Sequence, residues 1–219
     1  MNKMNHSKYI AFILTGLFLG CTAEKKEIPA GDSTVINDTV QSALQEPAFK
    51  KYDIRSGIIR FEISGREPGS SKLVYFDDFG NKEVSYIYSR DKISEKWINI
   101  NDGSFYTLNY ENKTGAKRNA SRPGTEERFD IEEMPLEMQK ENKLKQHKDS
   151  TFAGKPCKVY SLESGGIKTT KAGWAHIILM LETEVTDLKF RTVAKTLEEN
   201  AAIPDSVYTL PENFTIKEF

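Results

Sequence analysis

The chain is poor in the residues that metal, redox and nucleophilic chemistry draw on. It has 3 histidines and 2 cysteines in 219 residues. Two cysteines cannot build a disulfide-rich scaffold. The histidines do not cluster with acids or cysteines, so no zinc site of three or four ligands is expected. Charge of one sign is also lacking: 31 basic and 32 acidic residues leave a formal charge of −1. A nucleic-acid binder usually shows a basic excess, so that class is excluded. No apolar run reaches the ~18 residues that a membrane-spanning helix needs. Glycine-rich phosphate loops and the G-x-S-x-G nucleophile turn are absent as well. At 11% aromatic and 38% hydrophobic residues, the chain still has enough apolar side chain to fold.

What is present begins at the amino terminus. Lys3 and Lys8 precede a short apolar stretch, residues 9–20 (YIAFILTGLFLG), with no acid among them. A basic start and a 7–15-residue apolar core make an export signal. The stretch ends Leu17-Phe18-Leu19-Gly20-Cys21, which resembles a bacterial lipobox, with Phe18 where Leu, Val or Ile is usual. The resemblance implies cleavage before Cys21 and lipidation of its sulfur. Two or more buried acyl chains give stable anchoring. Cleavage removes two bases, leaving 29 bases and 32 acids, a formal charge of −3. Thr22 follows the cysteine, so the Asp that marks inner-membrane retention in some Gram-negative hosts is missing. We therefore expect a cell-envelope lipoprotein, of the outer membrane, with periplasmic or surface orientation open.

Residues 1–20 read as the signal, 21–48 as lipidated Cys and flexible tether, and 49–219 as the folded domain. The tether is polar and carries Pro29, Gly31 and Pro47. It also carries Asp32-Ser33-Thr34 and Asp38-Thr39-Val40, and the pattern recurs at Asp149-Ser150-Thr151 and Asp205-Ser206-Val207. This resembles an O-glycosylation acceptor of some Gram-negative secretory proteins, although Asp-Ser and Asp-Thr also start turns and cap helices.

Beyond residue 51 the period becomes two. Ile59, Phe61 and Ile63 alternate with Ile58, Arg60 and Glu62; Val84, Tyr86 and Tyr88 with Ser85, Ile87 and Ser89; Tyr106, Leu108 and Tyr110 with Phe105, Thr107 and Asn109. Ile98 and Ile100 flank Asn99 in the same way. Alternation marks strands with unlike faces, and turn residues every 8–12 positions indicate an antiparallel meander. Asp77-Asp78-Phe79-Gly80-Asn81 lacks the register of a calcium loop and reads as a hairpin turn. Residues 132–148 favour helix, with Pro135 in the first turn and a Glu141–Lys145 pair. Strands are expected again at 155–162, 174–182 and 188–196. The end, from Ile203 to Phe214, reads as an irregular packed tail.

Cys157 is either a reactive thiol or a small buried hydrophobe; with no His or CxxC partner nearby, the second is favoured. His147 falls at a lysine-rich helix end. His176, among Trp174, Ile177 and Ile178, reads as a satisfied core residue. Pairs such as Glu126-Glu127 and Glu132-Glu133 are ordinary solvated acids in a chain that is 29% charged. No constellation for catalysis or cofactor binding emerges, so the expectation is a protein that is not an enzyme. About nine strands and one short helix leave part of a sheet uncovered, and so room for an apolar groove.

Lipobox, polar tether, Tyr52-Asp53-Ile54-Arg55-Ser56-Gly57-Ile58-Ile59, the Tyr75-Phe76-Asp77-Asp78-Phe79-Gly80 hairpin and Gly154-Lys155-Pro156-Cys157-Lys158-Val159-Tyr160 resemble uncharacterised Gram-negative lipoproteins with a LolA/LolB-like half-barrel domain. The resemblance implies a mainly β (α+β) fold: an open antiparallel half-barrel of about 8–10 strands with one or two helices over its concave face. It also implies an apolar cavity for acyl chains and no catalytic residues. The expected ligand is an acyl chain, another apolar molecule or a lipoprotein, and the membrane is met through the amino-terminal lipid. From alternation alone, Ile59, Phe61, Ile63, Tyr86, Tyr88, Ile98, Ile100, Tyr106 and Leu108 are the candidate lining. A one-residue register error inverts that choice. The second reading is an envelope protein that fills its own core and binds nothing.

Overall fold

A computed structural model describes residues 49–67, 69–100, 103–119 and 128–219. The signal, Cys21, the tether and its two Asp-Ser/Thr sites lie outside them. The described residues form one 12-stranded open sheet: β1 (Gly57–Ser64), β2 (Ser71–Asp77), β3 (Lys82–Ser89), β4 (Lys92–Ile100), β5 (Ser104–Asn109), β6 (Thr114–Asn119), β7 (Lys145–Phe152), β8 (Lys155–Ser164), β9 (Ile167–Trp174), β10 (Ile177–Val185), β11 (Leu188–Glu199) and β12 (Thr215–Glu218). Their order is β12-β6-β5-β4-β3-β2-β1-β11-β10-β9-β8-β7. The sheet is a half-barrel, mostly β, with one short helix, α1 (Leu136–Glu141). No helix among the described residues is long and apolar enough to cross a membrane.

Tight turns hold the meander together. The pairs Arg90/Asp91, Ala153/Gly154, Gly165/Gly166 and Ala175/His176 all sit at positive φ. Two-residue hairpin turns of this hand match the twist of the strands they join. Ala175 and His176 carry side chains into that region, where glycine or asparagine is usual. That turn divides residues 174–182, expected as one strand, into the end of β9 and the start of β10. His176 is therefore a turn residue. Its Nδ1 lies 3.1 Å from the Phe129 carbonyl, and its Nε2 lies 3.3 Å from the Arg128 guanidinium.

The helix expected over 132–148 is cut to 136–141. Asn142 closes it by donating its side-chain amide to the Met138 carbonyl at 2.8 Å. Lys143 then turns to φ 47°. From Lys145 the chain pairs with β8. Completing a row of β8 hydrogen bonds outweighs a helix whose apolar stripe was thin. The Glu141–Lys145 helical pair is lost, and His147 lies on a strand with Nε2 2.8 Å from Ser161 Oγ. α1 buries none of its own residues. The cover over β8–β10 comes instead from Phe129, Ile131 and Leu144, packed with Tyr160, Leu162 and Ile178. Gly173 makes room for it, since a Cβ there would meet Phe129 Cγ at 2.1 Å.

The two faces of the sheet are buried by different things. Over β3–β6, Val84, Ile98 and Leu108 are at most 1% exposed. They lie under the carboxyl-terminal segment, through Val207, Tyr208, Phe214 and Ile216. The Asp205-Ser206-Val207 site is part of this tail and opens a single 3-10 turn. Lys96 fixes it by donating from Nζ to the Thr209 carbonyl at 2.8 Å. The tail ends as β12, a parallel partner for β6. Towards β7–β11 the sheet curls, and β7 returns to touch β11. There the row Val159, Ala172, Met180 and Val193 packs in the main core with Cys157, which is 1% exposed. Cys157 is a small core residue, and burial pushes its thiol up from the ordinary range.

Candidate functional site

The register places one face of β1 at the centre of a cavity. Ile59 stands opposite Val74 on β2 and Leu197 on β11, and Val74 stands opposite Ser85. Two positions along, Phe61 stands opposite Lys72, and Lys72 opposite Ile87. Two further, Ile63 is opposite Thr192, which is opposite Leu181, which is opposite Lys171. All of these but Leu197 and Ser85, together with Trp97, Ile177, Ile178, Phe190 and Tyr52, line a cavity of about 500 Å³. That lies within the ~300–1,000 Å³ of ordinary ligand pockets. The wall is mostly aliphatic and aromatic, with Glu83, Lys72, Lys171, Arg66 and Thr192 as its polar members. Trp97 turns its indole N–H to the Glu95 carboxylate at 2.9 Å, which leaves its ring for the cavity.

One end of the cavity is closed. Residues 51–55 cross it as a strap between two hairpin corners. The Tyr52 amide donates to the Phe79 carbonyl at 2.9 Å and the Asp53 amide to the Ala175 carbonyl at 3.2 Å. Phe79 donates back to the Arg55 carbonyl at 2.8 Å. Tyr52 meets Phe76 edge to face with ring centres 4.9 Å apart. Beneath the strap, Glu83 takes hydrogen bonds from Lys51 Nζ and the Tyr52 hydroxyl, each at 2.8 Å. Burial alone pushes the Glu83 carboxyl up, but the charges of Lys51 and Lys72 and the two hydrogen bonds outweigh it. The net shift is downward. Glu83 is thus an ionised, fully engaged wall residue.

The other end is open. On the cavity face of β11, exposure climbs from 3% at Ala194 to 37% at Phe190 and 62% at Leu188. On β1, Ile59 and Phe61 are buried and Ile63 is half-buried.

Three of the nine expected lining residues, Ile59, Phe61 and Ile63, are in this wall. Tyr86, Ile98, Ile100, Tyr106 and Leu108 lie on the reverse face with the tail, and Tyr88 is in their alternation set. The reason is register. Ile59 reaches Ser85 through Val74, so the cavity face of β3 is that of Glu83, Ser85 and Ile87, of which Glu83 and Ile87 line the cavity. Val84 and Tyr86, of the more apolar set of β3, pack under the tail. The cavity residues missed in the sequence were the quieter member of each alternation, Ile87 and Trp97, or came from strands paired far along the chain, such as Leu181 and Phe190. Among the described residues, no three His, Cys, Asp or Glu side chains are grouped to hold a metal.

No protein-family profile matches the chain, and no curated protein is similar in sequence. Similarity appears among solved structures. An uncharacterized conserved protein from Thermus thermophilus superposes with TM-score 0.50 at 6% identity, over 75% of this chain and 91% of that one. The MucA/MucB complex of Pseudomonas aeruginosa gives TM-score 0.49 at 12% identity, over 72% of this chain and 56% of that one. A putative outer membrane lipoprotein-sorting protein domain from Vibrio parahaemolyticus gives 0.30 at 11%, over 70% of this chain and 89% of that one. At 6% identity, the likeness to the Thermus protein is one of fold alone.

Proposed function

We propose that this chain is a lipid-anchored lipoprotein of the cell envelope whose half-barrel holds an acyl chain or another apolar ligand. The observation that carries the reading is the cavity: about 500 Å³, walled by apolar side chains, closed at one end by the strap. A structural protein that fills its own core would leave less than ~300 Å³ there. The reading is of a binding module, not an enzyme. It agrees with the lipobox at Cys21, which sets the domain beside a membrane.

Protein purified from membranes should carry a fatty-acyl ligand, seen as added mass in native mass spectrometry, and should bind a fluorescent lipid. Leu181→Trp, which fills the cavity from its half-buried wall, should weaken that binding by about tenfold or more, with the thermal transition little changed. Native spectra and titrations that both show nothing overturn the reading.

Anchoring is tested separately. Cys21→Ser should move the protein from the membrane fraction to the soluble fraction and remove its lipid mass. A variant that stays in membranes with the same mass sinks the lipobox assignment. Protease treatment of intact cells then reports which way the domain faces.

A further inference from the structure

We infer that the ligand of this cavity is an amphiphile with an anionic head, seated with its tail towards the strap and its carboxylate or phosphate at the open end. The inference rests on the proposal that the cavity takes an acyl chain, and adds the polarity and charge of its occupant.

The cavity wall is electrostatically lopsided along its length. At the closed end, Glu83, the one carboxylate among the described lining residues, is held by Lys51 and Tyr52 and also feels the charge of Lys72. Further out, the charged residues of the wall are Lys72, Lys171 and Arg66, all cations. Lys171 and Ile63 lie in one row across β9, β10, β11 and β1. Lys72 stands directly opposite Phe61, one pleat further in. Arg66 follows the end of β1 by two residues and is exposed. Lys171 and Arg66 therefore stand where exposure begins to rise, and Lys72 lies one pleat deeper, opposite the buried Phe61 and Ile87. Lys171 and Arg66 have no ion-pair partner among the described residues. Lys72 lies with Nζ 5.5 Å from the centre of the Trp97 ring, which holds the ammonium at the edge of the apolar wall.

The distance along the wall suits a tail. From Ile59 to Ile63 the strand advances about 13 Å, all of it apolar on this face. A chain lying on that track ends against Tyr52 and Phe76. Its head then falls among three positive charges, in a half-desolvated setting where charge-assisted hydrogen bonds are roughly twice as strong as neutral ones. An ammonium head would meet like charges there, and a hydroxyl head would gain little.

The test uses full-length protein purified from membranes and diluted below the micelle concentration of its detergent. A neutral apolar fluorophore is loaded and then displaced by dodecanoic acid, dodecyl phosphate, dodecanol or dodecylamine at pH 8. The acid or the phosphate should displace it at concentrations at least about tenfold lower than the alcohol or amine. Comparing the two anions tells carboxylate from phosphate. Lys72→Gln, Lys171→Gln and Arg66→Gln together should bring the anions to the level that dodecanol shows in the same variant. Equal potency of anion and alcohol in the natural protein, or a preference that survives the triple substitution, overturns the inference and leaves an apolar cavity. A fluorophore that never binds overturns the cavity reading itself.

Discussion

Replacing Lys51 by methionine should lower the free energy of unfolding by about 3–5 kcal/mol, the usual cost of leaving one member of a buried ion pair without its partner. Lys51 is 4% exposed, and the Glu83 side chain is 11% exposed. Methionine keeps the packing volume of the stem but takes the ammonium away, so the loss is electrostatic. The pH dependence follows from the downward shift of Glu83. A carboxyl held below its unfolded value contributes stability that is fully present above the unfolded value. That contribution is lost as pH falls through the folded value. Wild-type protein should therefore lose this contribution only below the ordinary carboxylate range. In Lys51→Met, burial is left with less to oppose it, the Glu83 carboxyl rises, and mild acid should recover part of the lost stability. Lys51→Met combined with Glu83→Gln should be more stable than Lys51→Met alone. Denaturant unfolding of the three variants across pH measures this. A Lys51→Met loss under about 1 kcal/mol, the range of an exposed pair, would falsify the buried-pair account.

The second large effect is expected from a chain that stops at Ala202. It lacks Val207, Tyr208, Phe214 and Ile216, which cover Val84, Ile98 and Leu108. Fully re-exposing one aliphatic side chain costs about 1.5–3 kcal/mol, and three are uncovered at once. The entropy regained by the missing tail offsets part of this. Lys96 also loses the Thr209 carbonyl while staying under Tyr86, whose ring centre is 5.1 Å from its Nζ. β6 loses β12 and becomes an edge, beside a newly bare apolar face. Self-association is the expected result. Light scattering should show species larger than the full-length protein, and the thermal midpoint should fall. A monodisperse truncated chain with an unchanged midpoint shows the tail to be dispensable. Ser56 still donates to the Ala201 carbonyl at 2.8 Å, so the truncation spares the end of β11.

The same tail explains what could be read from the chain and what could not. The β strands were legible because Ile59, Phe61 and Ile63 alternate cleanly and because turns recur at short intervals. Which face of each strand looks into the cavity was not. Alternation reports that one face is more apolar, not what buries it, and in β3–β5 the tail buries the more apolar set. Pairing β1 with β11 joins segments at opposite ends of the folded domain, such as Gly57 and Glu199, and no local pattern announces it. Ala175-His176 hid a hairpin because neither residue is a usual occupant of a two-residue turn. Residues 145–148 looked helical because their charges are compatible with a helix; the unpaired edge of β8 decided otherwise. The three cations were visible as residues, but their meeting on one wall required the register.

The strap of residues 51–55 makes the cavity a cul-de-sac. Whatever enters goes in by the end near Phe190 and Leu188 and comes out the same way, in reverse order. Under the proposed function, an occupant would be withdrawn by the part that entered last, and a second could not follow the first through. The chain also joins the fold at the blind end, where the Asn81 side-chain amide holds the Phe49 carbonyl at 2.9 Å. The doorway is thus at the far end of the cavity from Phe49, the first of the described residues.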